Sequence, residues 1–255
     1  MKSILNLIVN QFTFFPHNTI TLPYSDWPSY ASEIWLKTVD NENLQSIYFS
    51  HPNGKTENLI IYFHGNTGNI FSHHRFDDAN EFYKLGANVL FISYRGFSKS
   101  TGSPSESGLY IDGETALNYA NETLKYANKN IFIFGRSLGT TVATHIAQNR
   151  IFKGILLITP LTNAKEMAKF MGYGYVSFLV KHALNSTKKI KKIKSKLLII
   201  IGTIDKVTPP EMGIKLFKKY KGQKQLITIE NGGHNNLQMV ENKKFWDGIN
   251  TFVNK

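Results

Sequence analysis

From residue 58 onward, short and nearly continuous apolar runs alternate with longer stretches whose apolar residues recur at helical spacing. Residues 60–63, 88–94 and 131–134 read as strands, and residues 71–85, 110–126 and 141–148 read as helices. Two later apolar runs, 196–204 and 225–229, add further strands. Upstream, residues 34–39 and 44–50 predict an antiparallel hairpin at one edge. Such alternation predicts a mostly parallel central sheet of about eight strands with helices on both faces. At 255 residues and 42% hydrophobic content, the chain fits one compact α/β domain, residues 1–255, with enough length for a sizeable core.

The strand at 131–134 runs into Gly135-Arg136-Ser137-Leu138-Gly139, a G-x-S-x-G set that opens a helical stretch. A serine at the tip of so tight a strand-to-helix turn is held in a strained backbone with its hydroxyl exposed, and the flanking glycines let strand and helix close up. Ser137 is therefore the candidate nucleophile. On such an elbow the acid and then the histidine follow later in the chain. Of the histidines after Ser137, His145 falls within the helix behind the turn and His182 lies in an aromatic-rich helical stretch. His234 stands in the turn Asn231-Gly232-Gly233-His234-Asn235-Asn236 directly after a strand, and is the candidate base. Among Glu166, Asp205, Glu211 and Glu230, Asp205 ends a buried strand, where open parallel sheets place functional groups. Glu211 follows Pro209-Pro210 and suits a helix N-terminus.

An oxyanion needs two fixed donors. The backbone N–H of Leu138 is one candidate, and that of Asn66, in His64-Gly65-Asn66-Thr67-Gly68-Asn69 after the strand at 59–63, is the other. Each such donor is worth roughly 3 kcal/mol of barrier. His64 reads as a structural residue of that loop.

Taken together and in this order, these motifs resemble the α/β-hydrolase superfamily, and within it the Bem46 / ABHD13-like and ABHD17-like branch of serine hydrolases. The likeness covers most of the chain. It includes Phe15-Pro16, the loop at 64–69, Ser93-Tyr94-Arg95-Gly96-Phe97-Ser98-Lys99-Ser100, Pro104-Ser105-Glu106-Ser107-Gly108-Leu109-Tyr110, the elbow at 135–139, Gly202-Thr203-Ile204-Asp205 with Val207 and Pro209, and Gly232-Gly233-His234-Asn235. The resemblance implies an α/β-hydrolase fold with a small cap between strands 6 and 7, here residues 162–187. It also implies a triad of Ser137, Asp205 and His234 with oxyanion positions at Asn66 and Leu138. Ser93, Ile201 and Lys196 depart from the family pattern, and none of them removes a catalytic group.

The expected chemistry is hydrolysis of carboxylic esters or thioesters through an acyl-enzyme on Ser137. Alternatives are a protein S-acyl thioesterase (depalmitoylase) at a membrane surface, a serine peptidase, and, from another class, an inactive hydrolase-like binding protein. No cofactor or metal is expected. His73-His74 are adjacent, so on a helix they point in different directions, and Asp77-Asp78 on that helix are expected to face solvent. The loop at 64–69 lacks the Lys-Ser/Thr of a phosphate loop.

Composition adjusts the picture only modestly. With no cysteine, a disulfide framework, thiolate chemistry and a lipoprotein anchor are excluded, which suits a cytoplasmic protein. Residues 1–16 read as an N-terminal arm, with a membrane-associating segment as the alternative: the apolar stretch is too short to span a bilayer and Asn6, Asn10 and Gln11 interrupt it. The formal charge is +12, densest at 188–196, where Ile190 and Ile193 recur among lysines as in a solvated amphipathic turn. No nucleic-acid motif accompanies it. The expected partner is a small-molecule or lipid-like acyl ester, with peripheral membrane contact as a further possibility. The cap's Phe170, Met171, Tyr173, Tyr175, Phe178 and Leu179 are expected either to roof an acyl pocket or to pack the cap onto the body.

Overall fold

The computed structural model describes residues 14–16, 21–54, 56–180 and 183–255, so most of the N-terminal arm and His182 lie outside the described residues. The chain divides into two compact units, Met1–Ile131 and Phe132–Lys255.

In the first unit, β1 (Phe15–Pro16) precedes the expected hairpin of β2 (Ala31–Lys37) and β3 (Asn43–Phe49), whose register pairs Ala31 with Phe49 and Lys37 with Asn43. β4 (Leu59–Phe63), β5 (Thr67–Gly68), helix α1 (His73–Tyr83), β6 (Asn88–Ile92) and α2 (Glu106–Asn118) follow. The strand order is β4-β6-β3-β2, with β4 parallel to β6 and β3 antiparallel to it. Every residue of β4 and β6 is buried, in keeping with the apolar runs 59–63 and 89–92, whereas the edge strand β2 mixes buried, half-buried and exposed positions. β1 and β5 form a separate parallel pair that ties Phe15-Pro16 to the Gly-rich loop.

Local chemistry sets the helix bounds. α2 starts at Ser105, whose hydroxyl accepts the Gly108 N–H at 3.0 Å. It gives way to a π-helical turn at Tyr119–Thr123, so it does not run on to residue 126 as the spacing predicts. In α1, Asp77 is exposed as expected, but Asp78 is buried; a helix turns about 100° per residue, so adjacent positions need not share a face. The side chains of His73 and His74 lie outside the described residues. The buried Arg95 side chain joins Asp40, through Nη1 at 2.7 Å, to the fully buried Asp112, through Nε at 2.9 Å.

The second unit consists of β7 (Ile131–Arg136), α3 (Gly139–Ile146), β8 (Gly154–Ile158), α4 (Ala164–Phe170), α5 (Ser186–Lys189), β9 (Leu197–Gly202), α6 (Pro210–Lys219), β10 (Lys224–Ile229), α7 (Leu237–Val240) and α8 (Asn242–Asn254). Its strands are ordered β10-β9-β8-β7 and all run parallel. β7, β8 and β9 are buried throughout, while β10, at the end of the row, alternates. Parallel strands present their carboxyl ends at one edge, so the loops after β7, β8, β9 and β10 gather there. The lysine-rich turn behaves as its spacing predicts, with Ile190 and Ile193 buried and Lys188, Lys191, Lys192 and Lys194 exposed. In the cap, Phe170, Met171, Tyr173, Tyr175 and Phe178 are exposed, so of the two expectations packing onto the body does not hold for these five; the side chain of Leu179 lies outside the described residues.

Candidate active site

Ser137 follows the last residue of β7 and adopts φ 52°, the left-handed region that a residue with a side chain occupies only under constraint. The constraint is visible. Its N–H donates to Ile158 O at 2.9 Å, and its own carbonyl accepts both the N–H and the hydroxyl of Thr140, at 3.0 and 2.6 Å. A side chain at Gly135 would place its Cβ 2.5 Å from Gly139 O, so only glycine lets β7 and α3 approach closely enough to make the turn. Leu138 occupies the N-cap position of α3, where the first backbone donors have no intrahelical acceptor.

Asp205 lies three residues past β9 and is buried. Its Oδ1 accepts the N–H groups of Val207 at 2.8 Å and Thr208 at 2.9 Å, and its Oδ2 is 2.8 Å from His234 Nδ1. Burial alone would raise this carboxyl; the hydrogen bond and charge of His234, with the two backbone donors, outweigh it and hold the group below its usual value. An ionised carboxylate only accepts, so Nδ1 carries the proton and Nε2 is left to accept from Ser137 Oγ, 3.0 Å away.

The histidine loop is fixed from both sides. A Cβ at Gly202 would meet Gly232 O at 2.2 Å, so β9 and the turn after β10 touch backbone to backbone. Ile204 N–H donates to Gly232 O at 3.0 Å, Asn231 N–H to Thr203 Oγ1 at 2.9 Å, and Gly233 N–H to Asn236 Oδ1 at 2.7 Å. Arg136, next to the serine, donates through Nη2 to His234 O at 3.3 Å.

Two side chains bonded to the Asp205–His234 pair or its loop escape a reading of the sequence. Arg136 stands inside the elbow motif, yet its partner is 98 residues away. Thr208 Oγ1 is 3.0 Å from Asp205 Oδ2, 3.2 Å from His234 Nδ1 and 3.1 Å from Thr159 O. Thr159 itself has φ 47°, unusual for a β-branched residue, and this strained turn after β8 aims its carbonyl at the Thr208 hydroxyl. Its backbone conformation is the only local sign of a role, and sequence does not display it.

The other candidates sit elsewhere. Glu166 pairs with Lys215 Nζ at 2.6 Å, and Glu211 and Glu230 are exposed. His145 falls in the last turn of α3. In the first unit, Asn66 lies between β4 and β5, and its Oδ1 accepts the Phe15 N–H at 3.3 Å. His64 is fully buried with Nδ1 2.6 Å from Gly65 O, and burial, reinforced by the charge of Arg75, pushes its imidazole well below the usual value. It is a neutral structural ring. Among the described residues no group of three or more His, Cys, Asp or Glu is placed to hold a metal ion.

A family model described as the alpha/beta hydrolase fold matches residues 58–181. The protein Bem46 of Schizosaccharomyces pombe is 36% identical over 193 residues, covering 72% of this chain and 64% of that protein, so the match spans just under two thirds of the relative's length. An uncharacterized protein of Acanthamoeba polyphaga mimivirus is 32% identical over 232 residues, covering 82% of this chain and 77% of the other. Among solved structures, the Pyrococcus furiosus esterase Pf2001 superposes with a TM-score of 0.76 at 20% identity, covering 94% of this chain and 98% of that one, a likeness of fold. The chain belongs to the α/β-hydrolase superfamily.

Proposed function

We propose that the protein is a serine hydrolase of carboxylic esters, including thioesters, that works through an acyl-enzyme on Ser137. The observation that carries this reading is the unbroken chain from Asp205 Oδ2 through the His234 ring to Ser137 Oγ, at 2.8 and 3.0 Å. Family membership supports the coarser statement that the chain is a hydrolase.

His234 Nε2 takes the hydroxyl proton as Ser137 Oγ attacks the acyl carbon. Asp205 holds Nδ1–H and stabilises the imidazolium that forms. The Leu138 N–H, at the positive end of α3, receives the developing oxyanion and contributes about 3 kcal/mol. Asn66 is the second proposed donor, on the strength of the resemblance alone. His234 then gives its proton to the leaving alcohol or thiol, and water repeats the attack to release the acid and free Ser137. Thr208 and Arg136 act as positioning residues, the first on the Asp205–His234 pair and the second on the His234 backbone.

Hydrolysis of p-nitrophenyl esters from acetate to palmitate, wild type beside Ser137→Ala, tests the proposal. Turnover in the wild type and none in the variant is expected. A maximum at long chains would favour lipid-like or S-acyl substrates over small esters, since each buried methylene adds about 0.8 kcal/mol. Equal rates in the two proteins would remove Ser137 from the chemistry.

A further inference from the structure

β2 ends the row β4-β6-β3-β2, and the hydrogen bonds of its hairpin fix which of its groups face outward. Thr38 N–H donates to Glu42 O at 2.9 Å and Ser50 N–H to Tyr30 O at 2.8 Å, one at each end of a register that runs from Ala31–Phe49 to Lys37–Asn43 without a bulge. In an antiparallel pair only alternate residues bond the neighbouring strand, so the even-numbered residues of β2 bond β3. β3 obeys the same parity, its Gln45 O accepting from Ser93 N–H on the side of β6. The N–H and C=O groups of Glu33, Trp35 and Lys37 therefore point away from the row, and no described residue bonds them. A seven-residue strand without proline or bulge, carrying a tryptophan that is 48% exposed, is an edge of the kind that pairs with another chain.

The side chains along that edge select the other chain. Glu33, Trp35 and Lys37 share one face of the strand. When a second copy of β2 lies antiparallel about a two-fold axis at Trp35, the two tryptophans face each other and each Glu33 faces the other copy's Lys37. The outward backbone groups meet in the same three pairings, each exchanging two N–H···O bonds. On the opposite face Ile34 meets Leu36. Neighbouring registers lose this match. Centred on Glu33 or on Lys37 they oppose like charges, and centred on Ile34 or Leu36 they set charges against Trp35, Ala31 or Val39. Glu33 is held ready for the pairing, since its Oε1 accepts from Tyr24 Oη at 2.9 Å and from Gln45 Nε2, which leaves Oε2 for the lysine. Lys37 is exposed and has no ion pair among the described residues. The formal charge of +12 opposes contact between copies over most of the surface, but residues 24–49 hold one lysine against Asp26, Glu33, Asp40 and Glu42.

We propose that the protein dimerises by antiparallel pairing of β2 with the β2 of a second copy, centred on Trp35, so that the two rows join into one continuous sheet. The proposal does not depend on the hydrolase reading, because β2 contributes nothing to the Ser137–His234–Asp205 cluster.

Sedimentation velocity of the full-length protein over a range of concentrations tests it, with a species of twice the chain's mass expected. Lys37→Glu, a change at an exposed side chain, sets like charges opposite each other at both ends of the contact and is expected to weaken dimerisation about tenfold or more. Glu33→Lys should do the same, and an equimolar mixture of the two variants should dimerise again, because every glutamate then faces a lysine. A merely structural role for either side chain would not be rescued by the other chain. Should Glu33→Lys fail to fold, a cysteine probe still decides, since the chain has no cysteine of its own. Hydrogen-bonded antiparallel neighbours stand about 5.5 Å apart between Cα atoms, within disulfide reach, so mild oxidation should link Trp35→Cys chains into covalent dimers and leave Val39→Cys chains unlinked. Wild type that stays monomeric up to about 100 μM, a Lys37→Glu variant that dimerises as tightly as wild type, or Val39→Cys chains that link as readily as Trp35→Cys chains would overturn the proposal.

Discussion

Replacing Thr208 with valine keeps the shape of a buried side chain and removes one hydroxyl from the heart of the site. That hydroxyl has one proton and three neighbours: Thr159 O at 3.1 Å, Asp205 Oδ2 at 3.0 Å and His234 Nδ1 at 3.2 Å. Donating to Asp205, it stabilises the carboxylate. Donating to Thr159, it turns a lone pair toward His234 Nδ1–H and fixes the ring plane. Either bond involves a group that is charged at the transition state, a class worth about 1.5–3 kcal/mol, or about 10- to 100-fold in rate. Asp205 retains Val207 N–H, Thr208 N–H and His234 after the change, so the lower end applies. We expect Thr208→Val to lower kcat/KM for p-nitrophenyl acetate by about tenfold, mostly in kcat, and Thr208→Ser to restore most of it. Asp205→Asn should cost far more, about 10⁴-fold, because it removes the charge and the tautomer preference together. A valine variant within twofold of wild type across the pH range, or a serine variant no better than valine, would show that the hydroxyl does not position the pair.

The backbone approaches give further tests. Gly202→Ala must move the Gly232 carbonyl, 2.2 Å from the new Cβ, and should reduce activity through displacement of His234 while destabilising the fold by about 1–3 kcal/mol, read by ester hydrolysis and urea unfolding. Ser137→Gly removes the nucleophile but relieves the left-handed strain at φ 52°, so its thermal midpoint should equal or exceed that of Ser137→Ala; a lower midpoint would contradict the strain. Asp205 has a folded-state value depressed below its unfolded one, so it contributes stability above about pH 4 that is lost as pH falls through the lower folded value. Urea midpoints of Asp205→Asn should therefore fall less between about pH 5 and pH 2 than those of wild type. Arg95→Met strands the fully buried Asp112 and should cost about 3–5 kcal/mol in urea unfolding at neutral pH, less in acid where that carboxyl takes up a proton.

Much of the architecture is legible in the sequence because burial leaves a repetitive trace. β4, β6, β7 and β9 are built on apolar runs of four residues or more since both of their faces are covered, and Asp205 stands out as the charge that follows such a run near its carboxyl end. Gly135 and Gly139 are visible for the same reason Ser137 is: a turn this tight restricts residue type at fixed spacing. What is hidden depends on partners distant in the chain. Thr208 resembles any loop threonine until Thr159 O is found 49 residues away, and β1 pairs with β5 through two residues that form no period. Asp78 is buried in a helix whose charged pair looks solvated. In the cap, a cluster of Phe, Tyr and Met fits either a pocket roof or packing onto the body, and composition does not display that five of these side chains stand exposed.

The most direct test of the central claim is labelling by a fluorophosphonate, which traps only a serine activated by a neighbouring base, with the modified peptide identified by mass spectrometry. The geometry of Ser137, His234 and Asp205 predicts a single adduct on Ser137, absent from Ser137→Ala and strongly slowed in His234→Ala. Folded wild-type protein that takes up no label, or that carries it on another serine, would contradict it.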